Sequence, residues 1–392
     1  MKRLFKNRIF RIILVLGIFG AGYVFWRLKF YVPNYKLETL SLDFSDENYA
    51  KLNGFREIAL ENGFLERSED DYVPAEINYR SQFRKAQIRL KGDWTDHLGK
   101  NKWSFRIKLD EKMEDDLQIF SIQNLGTRGF LNAYVYHKLL KEEGVLTNEF
   151  RFLHLVLNGE SWGVYCLEEH LTNRMIANQD KDEGVILKFT DDPFFEVAKE
   201  EGANTDGLIK EAEIKTYGGP KEDDQRVSDA KSIMLNYQFQ KEGTFNDFDS
   251  SVMAKYYAVC DLATAYHAMG WINVRFYYNF KTKKMEPIGY DGYPELDWGK
   301  PYMGQNFESW NQDPYESIMI VYRALKNEAI LGEYESALDR ITHPNYIQLF
   351  MDKHRGELEF LEGEIQKEYR NYEYDFEELK LRAAEIRTAF KK

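Results

Sequence analysis

Alternating and helically spaced apolar positions divide most of the chain into strands and helices. Residues 37–44 alternate and predict a first strand, and 46–63 reads as a helix. Within 83–91, Ala86, Ile88 and Leu90 share one face. Residues 103–109 repeat the pattern, with Phe105, Ile107 and Leu109 inward and Ser104, Arg106 and Lys108 outward. The loop between them, 92–102, is polar. Residues 129–143 carry Leu131, Val135 and Leu139 at helical spacing and stop at Gly144, a natural C-cap. Strands at 150–157 and 162–167 flank Asn158-Gly159, a strong short hairpin signal. A short apolar strand is expected at 184–189.

Beyond a polar middle section, 226–241 and 251–269 predict helices, the second apolar enough to be central. Residues 274–280 and 285–290 form a second hairpin across 281–284. Residues 313–334 read as helical or mixed. From 346 to 392 the chain is charged but keeps Leu, Phe and Ile at helical spacing, which predicts one or two closing helices. Strands, a helix, a hairpin, more helices and a second hairpin pack naturally as a two-lobed α+β fold. The boundaries expected are 36–345 for the main domain, with lobes of about 36–170 and 171–345, and a helical extension at 346–392.

The N-terminus differs from the rest. Residues 1–29 hold seven Lys/Arg and no Asp/Glu, and 12–26 is an uncharged apolar run. Fifteen helical residues span about 22 Å, short of a ~30 Å hydrocarbon core unless Arg11 and Arg27 snorkel. This reads as a signal-anchor, with a cleaved signal peptide ending near Gly20-Ala21-Gly22 as the alternative. The soluble body is then expected outside the cytoplasm, in the periplasm or at the cell surface, held to a membrane by its N-terminal segment.

Composition narrows the function. The chain has 392 residues, 43% of them hydrophobic and 15% aromatic, enough for two packed units. The 363 residues after the basic head carry 46 basic against 65 acidic side chains, a net of −19. That surface argues against a nucleic-acid partner. Cys166 and Cys260 cannot make a disulfide framework and read as isolated buried thiols. His97, His137, His154 and His170 lack zinc-site spacing.

The sharpest chemical segment is the second hairpin. It brings Asn273, at its start, beside Asp291, at its end. An amide oxygen and a carboxylate suit Mg²⁺ or Mn²⁺ bound to phosphates. The plain alternative is an Asn capping a strand and an Asp opening a turn before Gly292.

Four segments then resemble a known family. They are Ile88-Arg-Leu-Lys-Gly-Asp-Trp with Lys102-Trp-Ser-Phe-Arg-Ile-Lys108; Phe120-Ser-Ile-Gln-Asn-Leu-Gly-Thr-Arg128; Leu157-Asn-Gly-Glu-Ser-Trp-Gly-Val-Tyr165 with Glu168; and Glu286-Pro-Ile-Gly-Tyr-Asp291. In this order, over roughly 86–294, they resemble the spore coat protein H (CotH) kinase family. The resemblance implies a divergent two-lobed protein-kinase-like fold that uses ATP with Mg²⁺ or Mn²⁺ and acts on Ser/Thr hydroxyls of a protein substrate at the cell envelope. It makes Asp291 and Asn273 the metal-binding pair. It makes Lys108, on a strand, the phosphate-pairing lysine, with Lys102 as competitor, and Glu168 a ribose-contacting or structural residue. The pattern departs at the base. Ala268 stands about five residues before Asn273, where a kinase has its Asp, so Asp261 and His267 are the candidate proton acceptors. No G-x-G-x-x-G loop is present; Gly92 and Gly99 flank the local candidate for covering phosphates. A catalytically inactive envelope scaffold or adhesin is the alternative function.

Overall fold

The computed structural model describes residues 35–66, 68–198, 207–295, 302–305 and 316–391. The signal-anchor expected at 1–29 lies outside the described residues. Among those described, no helix is long and apolar enough to cross a membrane.

Seven strands close into a barrel. They are β1 (Glu38–Asp43), β2 (Val73–Tyr79), β3 (Gln82–Leu90), β4 (Phe105–Leu109), β5 (Ile119–Asn124), β6 (Phe150–Leu157) and β7 (Glu160–Glu169). Their order around the barrel is β1-β2-β3-β4-β5-β7-β6, and β1 closes it by pairing parallel to β6. All the other barrel pairs are antiparallel. Alternation explains the closure: Ile88, Phe105, Ile107 and Leu155 point into one dry interior with Leu40 and Tyr165. Strand β2 keeps its period, with Val73, Ala75, Ile77 and Tyr79 inward, but Pro74 demotes it in a sequence reading; its register with β3 is unbroken.

A second sheet has four strands: β8 (Gly184–Phe189), β9 (Ile214–Tyr217), β10 (Arg275–Asn279) and β11 (Lys284–Pro287), in the order β9-β8-β10-β11. Helices pack around it. The central ones are α1 (Leu131–Glu142), α2 (Ser250–Leu262), α3 (Glu328–Ile341), α4 (Pro344–Gln366) and α5 (Glu378–Phe390). The architecture is therefore mixed α+β. The closing helices are not peripheral. Phe350, Leu358, Leu361 and Ile386 share one core with Tyr136, Met253 and Tyr334.

The helix expected over 251–269 is shorter. It ends at Leu262, Thr264 takes a left-handed φ of 51°, and residues Tyr266–Met269 form a separate 3₁₀ turn. That break turns His267 out of the helix line. Both cysteines are free and buried.

Candidate functional site

Between barrel and sheet lies a cavity of about 270 Å³. The barrel side contributes Lys91 from the end of β3, Arg106 from β4, Glu168 and Glu169 from β7, and Arg128 before α1. The sheet side contributes Lys188 from β8, Arg275 from β10, then Asn273, Asp291 and His267. The loop after Gly92 adds Asp93, Trp94, Asp96 and His97. Gly92 has φ 116°, and a Cβ there would enter the His97 ring. The turn therefore requires glycine to bring this loop over the cavity.

Lys188 and Arg275 lie directly opposite each other in the ladder. Like charges facing across a sheet repel. Arg106 stands opposite Arg89 in the barrel in the same way. His170, on the same wall, is held well below its usual pKa, first by burial and then by Arg106, Lys188, Lys91 and Arg275. These four cations thus act together at His170, where their field favours an anion, in a cavity that also carries the carboxylates of Asp93, Asp96, Glu168, Glu169, Asp191 and Asp291.

The acidic side is organised by Arg128. Its Nε reaches Glu168 Oε2 at 2.9 Å, and its Nη1 stands 3.4 Å from Asp291 Oδ1. Gln123 Nε2 donates to the same Glu168 oxygen at 2.7 Å. Burial pushes the Glu168 carboxyl up, but the charges of Arg128 and Lys91 outweigh it, so Glu168 stays below the ordinary carboxylate range. Asp291 is held at φ 46°, a left-handed geometry that a short acidic side chain tolerates. Its neighbour Gly292 lies against the Tyr136 ring, where a Cβ has no room.

Asp291 Oδ1 is buried and has no hydrogen-bond partner. Asn273 Nδ2 donates to the His267 carbonyl at 3.1 Å, which leaves its amide oxygen for another partner. A carboxylate oxygen that is ion-paired to Arg128 but free of hydrogen bonds, lining the same cavity as an amide oxygen, fits one hard divalent cation. Among the described residues no group of three His, Cys, Asp or Glu could hold a metal by itself. Such an ion would need phosphate oxygens to complete its shell, as Mg²⁺ commonly does.

His267 Nδ1 stands 2.9 Å from Glu295 Oε1, and its Nε2 stands 3.8 Å from Asp291 Oδ2. Burial lowers its pKa, but the Glu295 hydrogen bond and the Asp291 charge leave it raised overall.

Of the residues expected from sequence, Asn273, Asp291, His267 and Glu168 line this cavity, and Lys108, Lys102 and Asp261 do not. Lys108 points to the outer barrel face, paired with Glu69 at 2.6 Å and stacked over Tyr72. Lys102 is bound to Glu368 and donates to the Trp162 carbonyl at 2.6 Å, in a different cleft. On the barrel side, the lysine in the cavity is Lys91. The signal for it was in the sequence, at the end of an alternating strand and directly before a glycine. Asp261 is fully buried, accepting from Tyr266 at 2.8 Å, Tyr334 at 2.5 Å and the Met303 N–H at 2.9 Å. It is a structural knot, closed off from any substrate. Arg106, Arg275 and Lys188 were legible only as outward-facing strand positions. Arg128 closes one of the family-like segments but its role was not legible there, and Glu295 gave no local signal, because each acts through partners distant in sequence.

The family model described as CotH kinase protein matches residues 88–383 of the chain. No curated protein matches it.

Proposed function

The chain belongs to the CotH kinase protein family, and on that premise we propose that it transfers the γ-phosphoryl group of ATP to a Ser/Thr hydroxyl of an envelope protein. The single observation that carries this reading is the convergence of Asn273 and Asp291 with Lys91, Arg106, Lys188 and Arg275 in one cavity. The proposal places the body outside the cytoplasm, tethered to a membrane by residues 1–29.

In this reading Lys91 and Arg106 bind phosphate oxygens from the barrel side, and Lys188 and Arg275 from the sheet side. Arg128 fixes the Asp291 carboxylate while Glu168 anchors Arg128. Asn273 and Asp291 would hold Mg²⁺ or Mn²⁺, which neutralises developing charge on the phosphates. Glu295 orients His267 through Nδ1, so that Nε2 faces the cavity and accepts the acceptor's proton. The hydroxyl oxygen then bonds to the γ-phosphorus as the bond to the β-bridging oxygen breaks and ADP leaves.

The test is incorporation of labelled phosphate from ATP with Mn²⁺ or Mg²⁺ into the chain or an added protein, comparing wild type, Asp291→Ala and His267→Ala. The reading expects label in wild type and at least a tenfold loss in Asp291→Ala. Equal incorporation in all three would sink it. Ala268 favours a second reading, a non-catalytic envelope scaffold that keeps the fold without the kinase base. That reading expects no label in any variant. An ATP–Mn²⁺ thermal shift of several degrees would still disfavour an inert scaffold.

A further inference from the structure

Lys102 and Glu368 sit in a second cleft of about 790 Å³, none of whose lining residues lines the first cavity. It opens between the barrel hairpin at Glu160–Gly163, the start of the helix Asp46–Asn62 at Tyr49, and the end of α4. Its floor is built rather than incidental. Lys102 Nζ donates to the carbonyls of Trp162 at 2.6 Å and Val164 at 3.3 Å, and pairs with Glu368. Glu368 in turn accepts from the Val164 N–H at 3.1 Å. Gly163, at φ 82°, leaves the space the Glu368 carboxylate occupies against this strand, which a Cβ would fill.

Two aromatic rings border the cleft. Tyr49 is 36% exposed and stacks on Trp103 at 5.1 Å, which fixes its plane. Trp162 meets the same Trp103 edge-on at 5.8 Å. Around them stand hydrogen-bonding groups of both kinds: His154 with Ser161 at 3.0 Å, Asn101, Lys100 and Glu160. The cleft's charges balance. Lys102 is paired with Glu368 and Lys367 with Glu364, leaving Lys100 against Glu160. Fixed amphipathic rings give contact area at low entropic cost, and mixed donors and acceptors suit a ligand dense in hydroxyl groups. Balanced charge gives no preference for an ionic ligand.

We propose that this cleft binds an uncharged saccharide chain. The C–H face of a sugar ring packs on Tyr49 and Trp162. Its hydroxyls exchange hydrogen bonds with Ser161, His154, Asn101 and Glu160. The site is independent of phosphoryl transfer in the first cavity.

The test is calorimetric titration of the full chain with maltotetraose, cellotetraose and chitotetraose, each up to 10 mM, followed by tryptophan fluorescence for any sugar that binds. Binding of at least one, weakened fivefold or more by Tyr49→Ala and by Ser161→Ala, supports the assignment. Ser161 is exposed, so its variant tests the site without disturbing the core. The ATP–Mn²⁺ thermal shift should be unchanged in both variants, so a failure here is separable from a failure of the kinase reading. No binding of any of the three sugars to folded wild type overturns the proposal, as does binding that survives both substitutions.

Discussion

Lys91 and Lys108 both lie on or next to strands of one barrel, yet only Lys91 enters the cavity. The difference is register and height, since a strand side chain reaches only the side its position assigns. Lys91→Met is expected to reduce phosphate incorporation by about tenfold or more, because it removes a charge from transferring oxygens. Lys108→Met should stay within about twofold of wild type, since its partner is the exposed Glu69. Comparable losses in the two variants would contradict this placement. Asp261 supports a second prediction at this scale. Burial pushes its carboxyl up to about 6, against hydrogen bonds from Tyr334 and Tyr266. The folded chain therefore holds a proton that the unfolded chain has released between the ordinary 3.8 and about 6. The resulting stability is present below that window and is lost as pH rises through 6. Its size is on the order of 3 kcal/mol. Asp261→Asn does not titrate, so its melting temperature relative to wild type should rise from pH 4 to about pH 6 and level off by pH 7. A flat difference across that range would show that Asp261 is not the titrating group.

At the scale of elements, the second hairpin does most to position the chemistry. Its two strands are short, and their apolar residues pack on the sheet, so period and turn were readable in the sequence. That reading put Asn273 and Asp291 at the two ends of the hairpin, and both line the cavity. It could not show what holds Asp291 there, because that depends on Arg128 and on Tyr136 from α1, more than 150 positions earlier in the chain. The same limit hid β2 and the break at Thr264. One is masked by Pro74, and the other is imposed by packing against a periodic apolar run. Gly292→Ala tests the hairpin's seat. A Cβ at 292 meets the Tyr136 ring, a fully buried side chain with no space to retreat into. Overpacking of this kind costs about 1–3 kcal/mol. Thermal unfolding should show a drop of several degrees, with the ATP–Mn²⁺ shift lost as Asp291 moves. A variant with wild-type melting and an unchanged nucleotide shift would mean that Asp291 is held by other contacts.

At the scale of the molecule, charge pattern and packing give different accounts of the C-terminus. In sequence the closing helices read as a charged helical extension with Leu, Phe and Ile at helical spacing. In the fold, Arg382 of α5 donates to the Asp261 carbonyl at 3.0 Å and to the Tyr266 hydroxyl at 2.7 Å. Leu379, Ala383 and Ile386 are buried in the shared core. Tyr266 is the residue before His267, so α5 braces the turn that aims His267 at the first cavity. A chain ending at residue 377 would expose that core face. Each buried Leu or Ile contributes about 1.5–3 kcal/mol, and the truncation also strips the guanidinium from the Asp261–Tyr266 knot. The total is comparable to the whole stability of an ordinary domain. The truncated chain is therefore expected to lose its cooperative thermal transition and its ATP–Mn²⁺ shift together. Arg382→Ala in the full chain should do less, lowering the melting temperature while keeping a cooperative transition. A detachable extension would leave melting and nucleotide response unchanged when cut at 377, and that outcome would divide the chain at a boundary its core does not have.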